Sequence, residues 1–149
     1  MNDKIDKQKY IFSRMFLLAN KLQTLGDRML SGEMTIRQWL LTAAVAQYGE
    51  VPPTLGEVAR LLGNSHQNVK QMAVKLQEKG FLLLVKSESD YRETRLRLTK
   101  KNCCFWEKSR TELKSFLDEI FCDFCEEEMD LLYQSFNKLY EGIKRQEIK

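Results

Sequence analysis

The sequence predicts a mainly α fold with a small β-hairpin wing, a winged helix-turn-helix between long N- and C-terminal helices. Three observations carry this. Apolar residues in both terminal segments recur at alternating steps of three and four, the mark of amphipathic helices. Between Thr54 and Gly80 two short helical patterns meet at Gly63-Asn64. Directly after Gly80 the period changes to a short apolar run and then strict alternation, as in strands. Composition agrees: 43% hydrophobic and 30% charged residues describe a globular chain, neither disordered nor fibrous. At 149 residues the chain is read as one domain, long enough to bury a core without staples.

The first helix runs from about Ile5 to Leu30 on the seam Ile11, Met15, Leu18, Leu22, Leu25 and Met29. Gly26, costing about 1 kcal/mol in a helix interior, is expected to fray or bend its last turn. Thr35 caps a second helix to about Gln47, with Ile36, Trp39, Leu40, Ala43 and Ala44 expected inward. Pro52-Pro53 stops it and leaves an extended connector. Thr54 with Glu57 forms a capping box for a third helix that ends at Gly63. Ser65 caps a fourth, buried along Val69, Met72, Ala73 and Leu76 and ended by Gly80. Phe81–Val85 and Thr94–Leu98 make the hairpin, Leu96 and Leu98 inward, Arg95 and Arg97 outward, with a long and mobile tip. Thr99 caps a long helix to about Phe121, and a last helix spans about Glu126 to Arg145. In outline, residues 35–98 form the winged-helix lobe, and residues 5–30 and 99–147 the terminal helices.

A net charge of +3 selects no partner, but its distribution is uneven: residues 1–50 carry +2, 51–100 carry +4 and 101–149 carry −3. The basic third holds the helix-turn-helix. Opposite its buried stripe, the fourth helix would expose Ser65, His66, Gln67, Asn68, Lys70, Gln71 and Lys75. Gln and Asn suit bidentate bonds to adenine, while Ser, His and Lys reach base edges or phosphates. The N-terminal part of such a helix is the part that meets bases in a major groove.

From Leu61-Leu62-Gly63-Asn64-Ser65-His66-Gln67-Asn68-Val69-Lys70-Gln71 through Gly80-Phe81-Leu82, Asp90-Tyr91-Arg92 and Leu96-Arg97-Leu98-Thr99, the chain resembles the MarR (multiple antibiotic resistance regulator) family of winged-helix transcription factors. Met34-Thr35-Ile36-Arg37-Gln38-Trp39 resembles the start of that family's second helix. The resemblance implies a cytoplasmic transcriptional regulator, expected to be a repressor. It would bind a pseudo-palindromic operator in double-stranded DNA as a homodimer built from the first and last helices. It also implies that Arg92 enters the minor groove while Asp90 helps to hold the wing, and that a small aromatic or phenolic effector acts on the protein. Phe12, Phe16, Trp39, Phe105 and Trp106 are candidate pocket aromatics, each better read as core. Three positions depart from the family pattern: Tyr91 replaces a second basic residue, Glu88 and Glu93 lower the wing's attraction for phosphate, and Asn102 stands where Gly is usual.

The terminal seams support dimerisation independently, since left exposed they would form a large apolar patch. Cys122-x-x-Cys125 and Cys103-Cys104 raise a thiol redox or zinc reading, but four cysteines on apolar helices are expected to be small buried hydrophobes. A redox enzyme using Cys122 and Cys125, or a winged helix used for protein–protein contact, are the rival readings. No catalytic set, phosphate loop or cofactor motif is present, and His66 has no second His for a metal pair. No run approaches the ~18 apolar residues of a membrane span. The charged start, Met1 to Lys7, lacks an apolar signal core, so a cytoplasmic location is expected.

Overall fold

A computed structural model describes residues 3–149. The chain divides into two compact units, the first ending at Thr111 and the second Glu112–Lys149. The first holds α1 (Lys4–Met29), α2 (Ile36–Ala46), α3 (Leu55–Leu62), α4 (His66–Glu78), β1 (Leu82–Lys86), β2 (Thr94–Leu98) and the start of α5 (Lys100–Ile120). The second holds the rest of α5 and α6 (Glu126–Glu147). Element order and boundaries follow the sequence reading closely.

Local chemistry explains the boundaries. Thr35 Oγ1 accepts the Gln38 N–H at 3.2 Å while Gln38 Oε1 accepts the Thr35 N–H at 3.1 Å. The same reciprocal box joins Thr54 and Glu57 at 3.1 and 2.7 Å, satisfying donors that a helix start leaves free. Gly63 closes α3 at φ +63°, a left-handed conformation open to glycine at little cost. At the start of α5, the Thr99 hydroxyl donates to the Gly80 carbonyl at 2.6 Å and accepts the Asn102 N–H at 3.3 Å.

β1 and β2 pair antiparallel with Leu82 opposite Leu98 and Leu84 opposite Leu96. Leu82 and Leu96 are fully buried with Leu41, Val58, Val69, Ala73 and Leu76, so hairpin and helix-turn-helix share one core. Each of the leucines and valines contributes about 1.5–3 kcal/mol by leaving water. Phe81 joins this core and meets the Phe105 ring edge-on, with centroids 5.4 Å apart.

Two expectations are corrected. The buried face of α2 is Gln38, Leu41, Thr42, Ala44 and Val45, and Leu40 is 46% exposed. The helix is turned so that Leu41 and Val45 go inside, and the cost of burying Thr42 is met locally. Its hydroxyl donates to the Trp39 carbonyl at 2.8 Å, which removes the penalty of an unsatisfied polar group. Gly26, expected to fray or bend α1, lies within an unbroken helix and is its buried residue. A Cβ there would meet Ile36 Cγ1 and Cδ1 at 2.9 Å, so glycine is required by the approach of α2. The Asp27 carboxylate fastens the same junction, accepting the Ile36 N–H at 2.6 Å.

In α1, Phe12, Phe16 and Leu18 are exposed; in α6, described by itself, no residue is buried, and Leu131, Phe136 and Ile143 are exposed.

Gly26→Ala is expected to destabilise the fold, because overpacking costs about 1–3 kcal/mol against a helix-propensity gain of about 1 kcal/mol. Combined with Ile36→Ala it should cost less than the two single changes added together. Urea unfolding measures both, and a raised midpoint for Gly26→Ala would contradict the contact.

Candidate nucleic-acid interface

α4 begins where the Ser65 hydroxyl oxygen accepts the Asn68 N–H at 3.2 Å. With Val69, Ala73 and Leu76 buried, the opposite face presents His66, Gln67, Asn68, Lys70, Gln71 and Lys75 to solvent, and Ser65 is exposed beside them. These are the residues expected from sequence. Two grooves flank the helix. One, of about 560 Å³, runs between the starts of α3 and α4 and the hairpin, with His66, Lys70, Lys86 and Arg92 among its lining residues. The other, of about 290 Å³, lies toward the start of α2 and is lined by Asn68, Gln71 and Lys75 with Arg37 and Asn64. Gln67 is exposed and lines neither. Sequence reasoning missed Lys86, Arg37 and Asn64. Only the fold, which sets a strand end and the first turn of α2 against α4, brings Lys86 and Arg37 there, whereas Asn64 adjoins Ser65 in the sequence.

Both strands of the hairpin are anchored. Gln77 Oε1, from α4, accepts the Leu84 N–H of β1 at 2.7 Å. On β2, the Leu96 N–H donates to the Pro53 carbonyl at 2.9 Å, giving the proline connector a strand-like role. The tip is tied internally. Asp90 Oδ1 accepts the Arg92 N–H at 3.0 Å, the Asp90 carbonyl accepts the Glu93 N–H at 2.9 Å, and the Glu93 carbonyl accepts the Ser87 N–H at 3.0 Å. This is the local Asx geometry that lets Asp shape a turn. Asp90 and Arg92 are both exposed.

The expected penalty from Glu93 needs revision, because its carboxylate is held 2.8 Å from the Arg95 guanidinium. Arg95, read as an outward residue of β2, spends both terminal nitrogens inside the chain.

The cysteines also depart from expectation. Cys103, Cys104, Cys122 and Cys125 are free and exposed rather than buried. The buried positions of α5 are Asn102 and Phe105, which turn Cys103 and Cys104 away from the core. Among the described residues no group of three or more His, Cys, Asp or Glu is placed to hold a metal ion, and no helix is long and apolar enough to cross a membrane. Of the candidate pocket aromatics, Phe105 belongs to the core, and Trp39 and Trp106 stack on each other at 4.9 Å. Phe12 and Phe16 meet edge-on at 5.1 Å on the exposed face of α1. Asn102 is 2% exposed, and its Oδ1 has no hydrogen-bond partner.

Among solved structures, a MarR/EmrR family transcriptional regulator from Acinetobacter sp. ADP1 superposes with a TM-score of 0.76 at 18% identity, over 93% of this chain and 97% of that one. This chain has the MarR fold. The same fold appears in the MepR–DNA complex of S. aureus, with a TM-score of 0.75 at 16% identity over 90% of this chain and 96% of that one. By sequence, the chain is 25% identical over 150 residues to the transcriptional activatory protein BadR of Rhodopseudomonas palustris, covering 95% of this chain and 83% of that protein. No family model matches.

Glu57, at the start of α3 beside the larger groove, has its carboxyl held below the ordinary carboxylate range. The cause is chiefly the Thr54 backbone N–H it accepts; the Thr54 hydroxyl and the charges of Arg95 and Arg60 add to this, and burial opposes it. A depressed folded-state pKa gives stability that is present above the unfolded value of about 4.3 and lost as pH falls through the folded value. Glu57→Gln should therefore show a shallower fall in urea midpoint from about pH 5 to 3 than the parent chain. Parallel curves for the two proteins would refute the assignment.

Proposed function

We propose that this chain is a DNA-binding transcriptional regulator of the MarR kind, residues 1–149 acting as one domain and two copies forming the homodimer that grips a pseudo-palindromic operator. The observation that carries the reading is the polar face of α4, exposed beside a groove lined by His66, Lys70, Lys86 and Arg92. Ser65, His66, Gln67, Asn68, Gln71 and Lys75 are assigned to the major groove, with Lys70 on phosphate. Arg92 is assigned to the minor groove, on a tip shaped by Asp90. The MepR structure, solved with DNA, supports the assignment by its likeness in fold.

Dimerisation is supported by the apolar faces. Phe12 and Phe16 on α1 are 62% and 61% exposed, and Phe136 on α6 is 56% exposed. Faces of this kind mark association surfaces, because a second copy removes them from water. Two copies would present two α4 helices to successive major grooves, about 34 Å apart. Repression is the default outcome of occupying a promoter, since activation needs a further contact with the transcription machinery. The relative BadR is named an activatory protein, so a reporter fused to the bound promoter decides the sign: expression rising on deletion of the regulator supports repression, and expression falling overturns it.

On a duplex enriched from random DNA by the parent protein, Gln67→Ala and Asn68→Ala should each lose about 1–3 kcal/mol and relax base preference. Lys70→Ala should weaken all sequences alike and reduce the slope of log K against log salt by about one. Binding unchanged in all three would remove α4 from the interface. Phe16→Glu or Phe136→Glu should shift the solution mass from two subunits toward one, as sedimentation reads directly. A parent chain that sediments as one subunit at high concentration would end the dimer proposal.

A further inference from the structure

We infer that Arg95 is a positioning residue that sets the wing, and through it Arg92, against the helix-turn-helix. The inference rests on the proposed DNA-binding role of the wing. Strict alternation places Arg95 outward on β2, where an arginine would ordinarily reach into water. Its side chain is instead only 27% exposed, and its two terminal nitrogens have different partners. Nη1 donates to the Pro52 carbonyl at 2.6 Å, and Nη2 donates to the Glu93 carboxylate at 2.8 Å.

The two partners lie in different parts of the lobe. Pro52 belongs to the connector that leads into α3, and Thr54, two residues on, is the N-cap of that helix and bridges to Arg95 along the strand edge. Prolines carry no N–H, so Pro52 and Pro53 offer the sheet only carbonyls. Those carbonyls are taken by the Arg95 guanidinium and the Leu96 N–H. Glu93 belongs to the tip, where its backbone closes the turn against Asp90 and Ser87. Asp90 in turn holds the Arg92 N–H. A continuous run of polar contacts thus leads from Pro52 through Arg95, Glu93 and Asp90 to Arg92.

This run adds to the backbone anchors made by the Leu84 N–H on Gln77 and by the Leu96 N–H on Pro53. Those anchors hold the strands at their base, whereas the Arg95 side chain reaches on to Glu93 and so extends the hold to the tip. A guanidinium suits the task because its donors diverge in a rigid plane and serve a carbonyl and a carboxylate together. An ammonium is a single point charge on a flexible stem.

The test is a double-mutant cycle on the duplex enriched by the parent protein, with Arg92→Ala, Arg95→Ala and the pair together. Each single change is expected to weaken binding about tenfold, and the pair no more than about twofold beyond the worse single, because coupled groups are not additive. Hydroxyl-radical protection should fade at the minor-groove flanks while major-groove protection persists. Arg95→Lys, which keeps the charge, should behave like Arg95→Ala in both readouts and replaces it in the cycle if Arg95→Ala does not fold. Losses that add, or an Arg95→Ala protein that binds like the parent, would overturn the inference while leaving the DNA-binding reading intact. A parent protein that enriches no duplex would overturn that reading itself, and Arg92→Ala binding like the parent would remove the tip from the interface and this inference with it.

Discussion

The rotation of α4 about its own axis is the constraint on which the rest depends. Val69, Ala73 and Leu76 are withdrawn from water completely, and at 100° per residue that leaves one orientation for everything else on the helix. A turn of about 100° one way would push Lys70 into the core, and the other way Asn68 and Lys75. An unpaired charge there costs several kcal/mol, more than any surface contact returns. The polar face is therefore presented by the apolar one.

The hairpin obeys the same logic. Leu82 and Leu96 seal the core beneath α4, so the wing is a part of the lobe rather than an appendage on it. Above that seal the attachments are polar and directional, and they determine where the tip cations stand. Charge counting makes the tip net acidic, with Glu88, Asp90 and Glu93 around Arg92. In the fold, Glu93 is matched internally and Asp90 spends one carboxylate oxygen on a backbone N–H.

Much of this was legible in the residues. The Thr54–Glu57 capping box, the Thr35 cap, the Gly63 turn, the exposed face of α4 and the two strands of the hairpin rest on short-range rules, in which a few neighbours decide the outcome. The failures come from judging burial by residue type and from partners distant in sequence. The face of α2 was misjudged because Thr42 counts as polar by type, yet it satisfies its hydroxyl one turn back and so can be buried. Gly26 read as a weak point because its reason, Ile36, lies on another helix. The cysteines were assigned to the interior by residue type, whereas helix phase turns Cys103 and Cys104 outward. Locally only Glu93, two residues before it, marks Arg95 apart from Arg97, and the connector folded alongside adds the Pro52 carbonyl.

The uncovered faces of α1 and α6 carry a practical consequence. For a chain that hides such faces only by meeting a copy of itself, folding and association are one equilibrium, and melting temperature climbs with protein concentration. In a cell, the abundance of such a chain would then govern how long each copy survives: newly made subunits at low abundance stay open to proteases and chaperones until they find a mate.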